Sequence, residues 1–201
     1  MIKTKVCGIT KIEDAVIAEN YGAFAIGFIF YEKSPRYINP EKAKKIANSV
    51  KIKTVGVFVN ENSSKINEIA EFVNLDYVQL HGLEKPEECD KLIKPYIKNI
   101  REISDLEKYK NAKIFLTDAP NINQWGGTGQ LADWNFANKI KNTGKPLMLS
   151  GGLSINNIKS AIQTVNPDFI DVSSSLEISP GVKNPELIKN FFEELKNMEN
   201  K

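Results

Sequence analysis

Two titratable side chains at the ends of short apolar runs could carry out acid–base chemistry. Cys7 closes the run KTKVC directly before a glycine, and Asp118 follows the run IFLT. A thiolate can act as a general base, and a carboxyl group whose pKa is raised by partial burial can act as a general acid. Structural roles are the alternatives, because cysteine is among the most buried residue types and an aspartate often binds a neighbouring loop. The elements that position these residues decide between the two interpretations.

Strand-like and helix-like segments alternate along the whole chain. Apolar runs rich in valine, isoleucine and phenylalanine predict eight strands, and apolar residues at three- and four-residue spacing predict helices between them. The predicted strands cover residues 3–9, 24–30, 53–59, 76–81, 96–101, 113–118, 145–150 and 168–174. Gly22 is expected to end the first helix, Ser154 to cap a helix over 154–165, and Pro185 to lie in the first turn of the last helix.

This alternation indicates a parallel sheet with right-handed crossovers. Eight strand–helix units favour a closed (β/α)8 barrel, the TIM-barrel architecture, over an open doubly wound sheet. We expect the 201 residues to form a single α/β domain, residues 1–201, with little decoration. Because functional residues of such barrels lie at the carboxyl ends of the strands, Cys7 and Asp118 are predicted to lie at one rim.

Strand parity places a lysine beside the candidate base. Lys5 and Cys7 share one face of the first strand, and a lysine that faces the barrel interior needs an anionic partner. Asp171 is the candidate, because closure of the barrel puts the last strand beside the first. We expect this ion pair to lower the pKa of Cys7. Cys89, by contrast, lies on an apolar helical face and is expected to fill the core.

Glycine and serine residues after the last two strands indicate a phosphate site. Gly151 and Gly152 precede a helix, and Ser173, Ser174 and Ser175 end the eighth strand. Glycine lets backbone N–H groups approach an anion, and barrel enzymes often hold phosphate after strands seven and eight. A simple turn is the alternative for the glycine pair.

For three further features of the rim, the sequence allows more than one role. Arg36 could form a fork on a carboxylate or phosphate, or be a solvated loop residue. His81 could orient an aspartate or the substrate, or bond to the backbone. The long connection 119–130 contains Gly127 and Gly129 in GGTG, which we interpret as the hinge of a lid, a phosphate contact or both.

Composition argues against several classes of partner. The formal net charge of +2 and the absence of like-charge blocks indicate neither a nucleic-acid surface nor an acidic partner. No apolar run reaches the ~18 residues that a membrane span requires, and the first residues lack a signal-peptide pattern. A single histidine argues against a zinc site built on several histidines, and two cysteines do not make a disulfide framework. We therefore expect a reducing, cytoplasmic compartment.

Taken together, the motifs resemble those of the phosphoribosylanthranilate isomerases of tryptophan biosynthesis. The segments KVCGIT, SPRY, VGVF, VQLHG, GGTG, SGGL, DVSS and SPGVK extend over essentially the full chain. The resemblance implies an Amadori rearrangement of N-(5-phosphoribosyl)anthranilate to 1-(2-carboxyphenylamino)-1-deoxyribulose 5-phosphate, without cofactor or metal. It also implies that Asp118 is the general acid at the furanose ring oxygen and that Cys7 is the general base at C2 of the sugar.

The same resemblance implies the partner and the substrate contacts. The partner is a small phosphosugar with an anthranilate group, and neither a nucleic acid nor a membrane; the chain is expected to be a monomer or a homodimer. Arg36 is similar to the family residue that binds the anthranilate carboxylate, and the glycine and serine loops would hold the phosphate. The predicted substrate-binding set is Arg36, His81, Gly127, Gly129, Gly151, Gly152, Asp171, Ser173, Ser174 and Ser175.

The chain departs from the family pattern in three segments, of which LTDAP, in place of a more usual LLD segment, is a mild change. Ser175 replaces a glycine, which would cost about 1 kcal/mol if the backbone there needs a positive φ, and otherwise could add a phosphate contact. Gln130 and Ala132 alter the segment after GGTG and bear on packing of the lid. The departures support one alternative, a degenerate barrel that binds phosphosugars without catalysis. A ribulose-phosphate epimerase is a second alternative, which one histidine argues against.

Overall fold

Eight parallel strands close into a barrel in the order β1 to β8. The computed structural model describes residues 2–118 and 133–199. The strands are β1 Lys3–Cys7, β2 Ala25–Ile29, β3 Lys53–Phe58, β4 Tyr77–Leu80, β5 Tyr96–Asn99, β6 Ile114–Thr117, β7 Leu147–Leu149 and β8 Phe169–Val172. Each lies within its predicted range, and pairing of β8 with β1 removes the sheet edges. The TIM barrel is thus confirmed, and an open sheet is excluded.

Helices follow the strands and cover the outside of the barrel. They are α1 Ile12–Tyr21, α2 Pro40–Ala47, α3 Ser63–Val73, α4 Pro86–Cys89, α5 Asp105–Lys108, α6 Trp134–Lys141, α7 Ile158–Val165 and α8 Pro185–Glu199. Gly22 ends α1 with a left-handed φ of 99°, and Pro185 begins α8, as predicted. Asn39 and Asn62 cap α2 and α3 through side-chain oxygens that accept backbone N–H groups. A small antiparallel pair, β9 Glu177–Ser179 and β10 Val182–Lys183, follows β8.

The core forms two layers, because successive side chains of each strand point to opposite faces. Val6, Ile26 and Phe28 pack outwards against the helices. A separate inner cluster fills the barrel and consists of Ala25, Val55, Ile97, Ile114, Leu116 and Met148. Phe24, directly before β2, and Phe169, the first residue of β8, pack against this cluster, so its apolar side chains fill the amino-terminal part of the barrel. Polar side chains occupy the opposite rim.

Residues 2–118 and 133–199 contain neither a membrane-spanning helix nor a metal-binding cluster. Within these ranges, no helix is both long and apolar enough to cross a bilayer. The same ranges hold no group of three or more histidine, cysteine, aspartate or glutamate side chains arranged to bind a metal ion.

Candidate active site

A cavity of about 80 Å³ lies at the carboxyl ends of the strands and gathers most of the chemistry predicted from the sequence. Residues at or just after the carboxyl ends of β1, β2, β3, β4, β6, β7 and β8 line it. The predicted residues in its wall are Cys7, Arg36, His81, Asp118, Asp171 and Ser173. Because these residues come from distant parts of the chain, closure of the barrel is what brings them together.

A larger groove of about 630 Å³ lies beside this cavity, between the segments that follow β2 and β3. Aromatic side chains such as Phe58 and Phe72 line it, together with four glutamates and two lysines. Tyr31 and Val59 line both the groove and the smaller cavity. None of the predicted site residues lies in the groove wall, so we assign the chemistry to the smaller cavity.

The predicted ion pair between Lys5 and Asp171 is confirmed. Lys5 Nζ lies 2.7 Å from Asp171 Oδ1, and the lysine is fully buried. Burial opposes the charge on Lys5, but attraction by Asp171 and Cys7 outweighs it and raises the pKa of Lys5. Burial also raises the pKa of Asp171, against the attraction of Lys5. The lysine therefore stays a cation beneath the thiol.

The expected lowering of the Cys7 pKa is wrong. Burial of the thiol raises its pKa, and the opposing charge of Lys5 offsets only part of this effect. The sequence places a cation next to Cys7, but it does not reveal how deeply the sulfur is buried. The thiol is therefore a stronger base than an ordinary cysteine once it is ionised, and less of it is ionised at neutral pH.

Two glycines that sequence reasoning did not assign to the site shape the space around Cys7. A Cβ atom on Gly27 would lie 2.9 Å from Cys7 Sγ and 3.0 Å from Lys5 Cε. Gly8 has a φ of 76°, and a Cβ atom there would lie 2.8 Å from Arg36 Cδ. The glycine in KVCGIT thus permits both the left-handed turn and the approach of the arginine. Gly27, in the middle of an apolar strand, carried no comparable local signal.

Asp118 lies beside the only histidine of the chain. His81 Nε2 lies 3.2 Å from Asp118 Oδ2, and both side chains are largely buried. On the other side of the ring, His81 Nδ1 lies 3.3 Å from Nε2 of Gln79. Of the roles left open for His81, the geometry supports orientation of an aspartate.

Arg36 forms a fork with a carboxylate of the protein itself. Its Nε atom lies 3.0 Å from both carboxylate oxygens of Glu177, and its Nη2 atom lies 2.8 Å from Oε2. Lys183 Nζ lies 2.8 Å from Oε1 of the same glutamate. Burial opposes ionisation of Glu177, but the two cations outweigh it and lower its pKa. Arg36 is therefore held in place at the cavity wall, not solvated.

The same network reaches the strand that carries the candidate base. Lys183 Nζ donates to the carbonyl of Ser173 at 3.1 Å, and Ser173 Oγ donates to the carbonyl of Cys7 at 3.0 Å. Sequence reasoning missed Glu177 and Lys183, although Lys183 closes the quoted motif SPGVK. Only the positions of Glu177 and Lys183, one on each strand of the small β9–β10 pair, could have indicated that the two side chains are neighbours.

A buried clamp holds the turn that follows His81. Lys98 Nζ lies 2.7 Å from Glu84 Oε2 and 2.8 Å from the carbonyl of Gly82. Glu84 Oε1 accepts the backbone N–H groups of Gly82 and Asn60 at 3.0 and 2.9 Å. The Lys98 ammonium and the Glu84 carboxylate thus bond to each other and to the backbone of this turn, which fixes the backbone on the carboxyl side of His81.

The structure places the loops predicted to hold phosphate next to each other. Gly151 and Gly152 adopt φ values of 91° and 61°, which explains the glycine pair. Ser174 and Ser175 lie in a single 3-10 turn, Ser174–Leu176. Ser175 Oγ donates to the carbonyl of Leu153 at 2.6 Å and so links the two loops.

In these loops, one helix begins later than expected, and the conformation of Ser175 resolves one alternative. The helix expected from Ser154 begins only at Ile158, because the Asn157 side chain bridges Ser154 N and the carbonyl of Gly152, each at 2.9 Å. The described non-glycine residues with positive φ are three asparagines, so Ser175 carries no left-handed strain. The substitution of glycine by serine therefore does not support a degenerate barrel. The predictions for Gly127, Gly129, Gln130 and Ala132 concern positions outside the described residues.

Comparison with known proteins supports the resemblance found in the motifs. The family model of N-(5'-phosphoribosyl)anthranilate (PRA) isomerase matches residues 4–194. The N-(5'-phosphoribosyl)anthranilate isomerase of Rubrobacter xylanophilus is 40% identical over 201 residues, which cover 95% of this chain and 97% of the relative.

Solved structures agree with the sequence match. The phosphoribosyl anthranilate isomerase of Thermus thermophilus superposes with a TM-score of 0.90 at 31% identity, covering 98% of this chain and 100% of the other. A phosphoribosyl anthranilate isomerase in complex with reduced 1-(o-carboxyphenylamino)-1-deoxyribulose 5-phosphate gives a TM-score of 0.84 at 38% identity, with the same coverage of both chains.

Proposed function

The chain belongs to the N-(5'-phosphoribosyl)anthranilate isomerase family, and on this premise we propose that the rim cavity isomerises its substrate with Asp118 as general acid and Cys7 as general base. The reaction is the Amadori rearrangement of N-(5-phosphoribosyl)anthranilate to 1-(2-carboxyphenylamino)-1-deoxyribulose 5-phosphate, a step of tryptophan biosynthesis. It needs one acid and one base that reach different atoms of one sugar. Cys7 ends β1, Asp118 directly follows β6, and both line the same cavity.

The proposed reaction has two proton transfers before the final tautomerisation. Asp118 donates a proton to the furanose ring oxygen, the bond from that oxygen to C1 breaks, and an iminium ion forms. The Cys7 thiolate then removes the proton from C2, and the electrons of that bond neutralise the iminium to give an enolamine. Tautomerisation of the enolamine gives the ketone. The iminium makes the C2 proton acidic, and the buried thiol supplies a strong base for it.

We assign the binding of the two anionic groups to separate loops of the rim. Arg36, held by Glu177, would bind the anthranilate carboxylate. The glycine pair after β7 and the 3-10 turn after β8 would supply backbone N–H groups to the phosphate. The first N–H groups of a helical turn have no acceptor within that turn, which suits this role. Asp171, next to Lys5, would contact the sugar from the floor of the cavity.

The observation that carries this proposal is the joint position of Cys7 and Asp118 in one cavity wall. We would follow the loss of anthranilate-type fluorescence when phosphoribosylanthranilate, made in situ, meets the wild type, Cys7→Ser or Asp118→Asn. Both variants are expected to lose several orders of magnitude in kcat. Cys89→Ser is the matched control, because Cys89 is buried in α4, away from the cavity wall. Turnover that survives Cys7→Ser would refute the assignment of the base without affecting the fold.

The proposal includes a reducing, cytoplasmic compartment. Both cysteines, Cys7 and Cys89, are free thiols. A reactive thiol that must stay unoxidised to act as a base is suited to a compartment in which disulfides do not persist.

A further inference from the structure

Three side chains, Gln79, His81 and Asp118, lie in a chain of close polar contacts from the end of β4 to the proposed acid. Nε2 of Gln79 lies 3.3 Å from Nδ1 of His81, and Nε2 of His81 lies 3.2 Å from Oδ2 of Asp118. Gln79 is only 2% exposed and lines the same cavity as the acid. The reaction as proposed above gives Gln79 no role, although its position allows it to act on Asp118 through the ring.

In the amide orientation of this structure, the donors and acceptors place one hydrogen atom of the His81 ring. A neutral imidazole has one N–H donor and one acceptor nitrogen. The NH2 group of Gln79 only donates, so Nδ1 of His81 accepts and the ring hydrogen lies on Nε2. Oδ2 of Asp118 lies 3.2 Å from Nε2, within reach of that hydrogen, and can accept it both when the carboxyl group is ionised and when it is protonated on Oδ1.

We propose that Gln79 is a positioning residue for the general acid: it holds His81 in the Nε2–H tautomer, which keeps the proton of Asp118 off Oδ2. In the other tautomer, the lone pair of Nε2 would accept a hydrogen bond from a proton on Oδ2. The proton that the substrate needs would then be held between the carboxyl group and the ring. This inference rests on the proposed function, because it gives Gln79 a part in the action of Asp118.

The amide of Gln79 has a hydrogen-bond partner at its nitrogen but not at its oxygen. Its Oε1 atom is buried and has no hydrogen-bond partner among the described residues. Rotation of the amide by 180° would bring Oε1 to Nδ1 of His81, and the ring hydrogen would then have to lie on Nδ1. The two amide orientations therefore correspond to the two tautomers of His81, and the tautomer is the quantity to measure.

The wild-type protein alone provides a decisive measurement. His81 is the only histidine, so a chain labelled with 15N-histidine and prepared without a histidine tag gives the signals of one imidazole. Two-bond 1H–15N correlation spectra at pH 8, above the ordinary range of imidazole ionisation, show which nitrogen carries the hydrogen. We expect it on Nε2. Hydrogen on Nδ1, or on both nitrogens, would overturn the inference.

Variants of Gln79 test the consequence for catalysis. Gln79→Glu replaces the donor by an acceptor of the same shape, so we expect a hydrogen to appear on Nδ1 and kcat to fall about 10- to 100-fold, with KM changed less than about threefold. Gln79→Met removes the donor without adding charge and should give a smaller loss of kcat. In a His81→Asn background, Gln79→Glu should cost less than about threefold, because the effect acts through the ring.

The outcomes separate this inference from the proposed function. A Gln79→Glu variant with the wild-type tautomer and a lowered kcat, or with equal losses in both backgrounds, would show that Gln79 does not act through His81. Full activity of Asp118→Asn would instead remove the proposed acid and leave the measured tautomer standing. Circular dichroism and thermal unfolding of each variant establish that it is folded.

Discussion

Replacement of Gly27 by alanine should displace the proposed base without removing any chemical group from the site. Gly27 pairs with Cys7 in the barrel, and its carbonyl accepts the N–H groups of Gly8 and Ile9. The new Cβ atom would lie 2.9 Å from Cys7 Sγ. Ordinary contact begins at 3.4 Å, so the sulfur must move by the difference, 3.4 − 2.9, or about 0.5 Å.

The size of this shift sets the expected loss of activity. Misplacement of a reacting group by about 1 Å can lower the rate about 100-fold, so a shift of half that size should lower kcat roughly tenfold. Overpacking of the barrel interior should cost about 1–3 kcal/mol, part of which is offset because alanine is favoured over glycine in a strand by about 0.5–1 kcal/mol. We therefore expect a net destabilisation of about 1–2 kcal/mol.

The assay is the fluorescence decrease that accompanies turnover, together with urea unfolding of the same preparations. Gly144→Ala is the matched control, because a Cβ atom there meets nothing within 4 Å and the φ of 80° imposes a similar stability cost of about 1–2 kcal/mol. Two alanine variants of similar stability should thus differ about tenfold in kcat. Wild-type kcat in Gly27→Ala would refute the argument that contact with Gly27 sets the position of the thiol.

Three further predictions concern the charged groups around the site. Lys5→Met should lower the free energy of unfolding by about 3–5 kcal/mol, because it leaves Asp171 buried without its cation. In urea unfolding, the double variant Lys5→Met, Asp171→Asn should recover at least half of this lost stability. A double variant that is no more stable than Lys5→Met would show that the loss does not come from the unpaired Asp171. Glu177→Gln should destabilise by about 3 kcal/mol at pH 7 by leaving the buried Lys183 without its counterion. The pKa of Glu177 is lower in the native than in the unfolded state, so its contribution to stability is present above the unfolded pKa and is lost as pH falls through the native pKa. The free energies of unfolding of the wild type and Glu177→Gln should therefore converge in acid. A difference between them that does not change with pH would contradict this argument. Alkylation of Cys7 by iodoacetamide, located by mass spectrometry, should keep accelerating with pH beyond about 8.5, because only the thiolate reacts and burial raises its pKa; a rate that levels off near pH 7 would show the opposite shift.

The positions of the strands and the polarity of the rim follow from local sequence. All eight apolar runs contain their strands, because residues buried on both faces of a parallel strand must be apolar whatever the rest of the chain does. Cys7 and Asp118 lie at or just after strand ends for the same reason: each ends an apolar run. Even the Lys5–Asp171 pair was predictable, since it needs only the alternation of a strand and the closure of a barrel.

What the sequence could not supply is the depth of burial and the choice of partners. A cation next to Cys7 predicted a lowered pKa, but desolvation by the surrounding barrel exceeds that attraction. Arg36 could be assigned to an anion, but not to Glu177, which reaches it from the far end of the chain. Helix α7 begins at Ile158 and not at the predicted Ser154, because the Asn157 side chain occupies the preceding turn.

The tertiary structure alone therefore decided the electrostatics of the base, the anchoring of Arg36 and the contact of Gln79 with His81. These depend on distances between segments that are far apart in the chain, and such distances are set by packing of the whole barrel. Local sequence determined which side chains face the interior, through the two-residue alternation of a strand, and where each strand ends, through the end of each apolar run. The energy of a charge or a thiol in that interior depends on every neighbour that excludes water from it, and no local pattern contains that information.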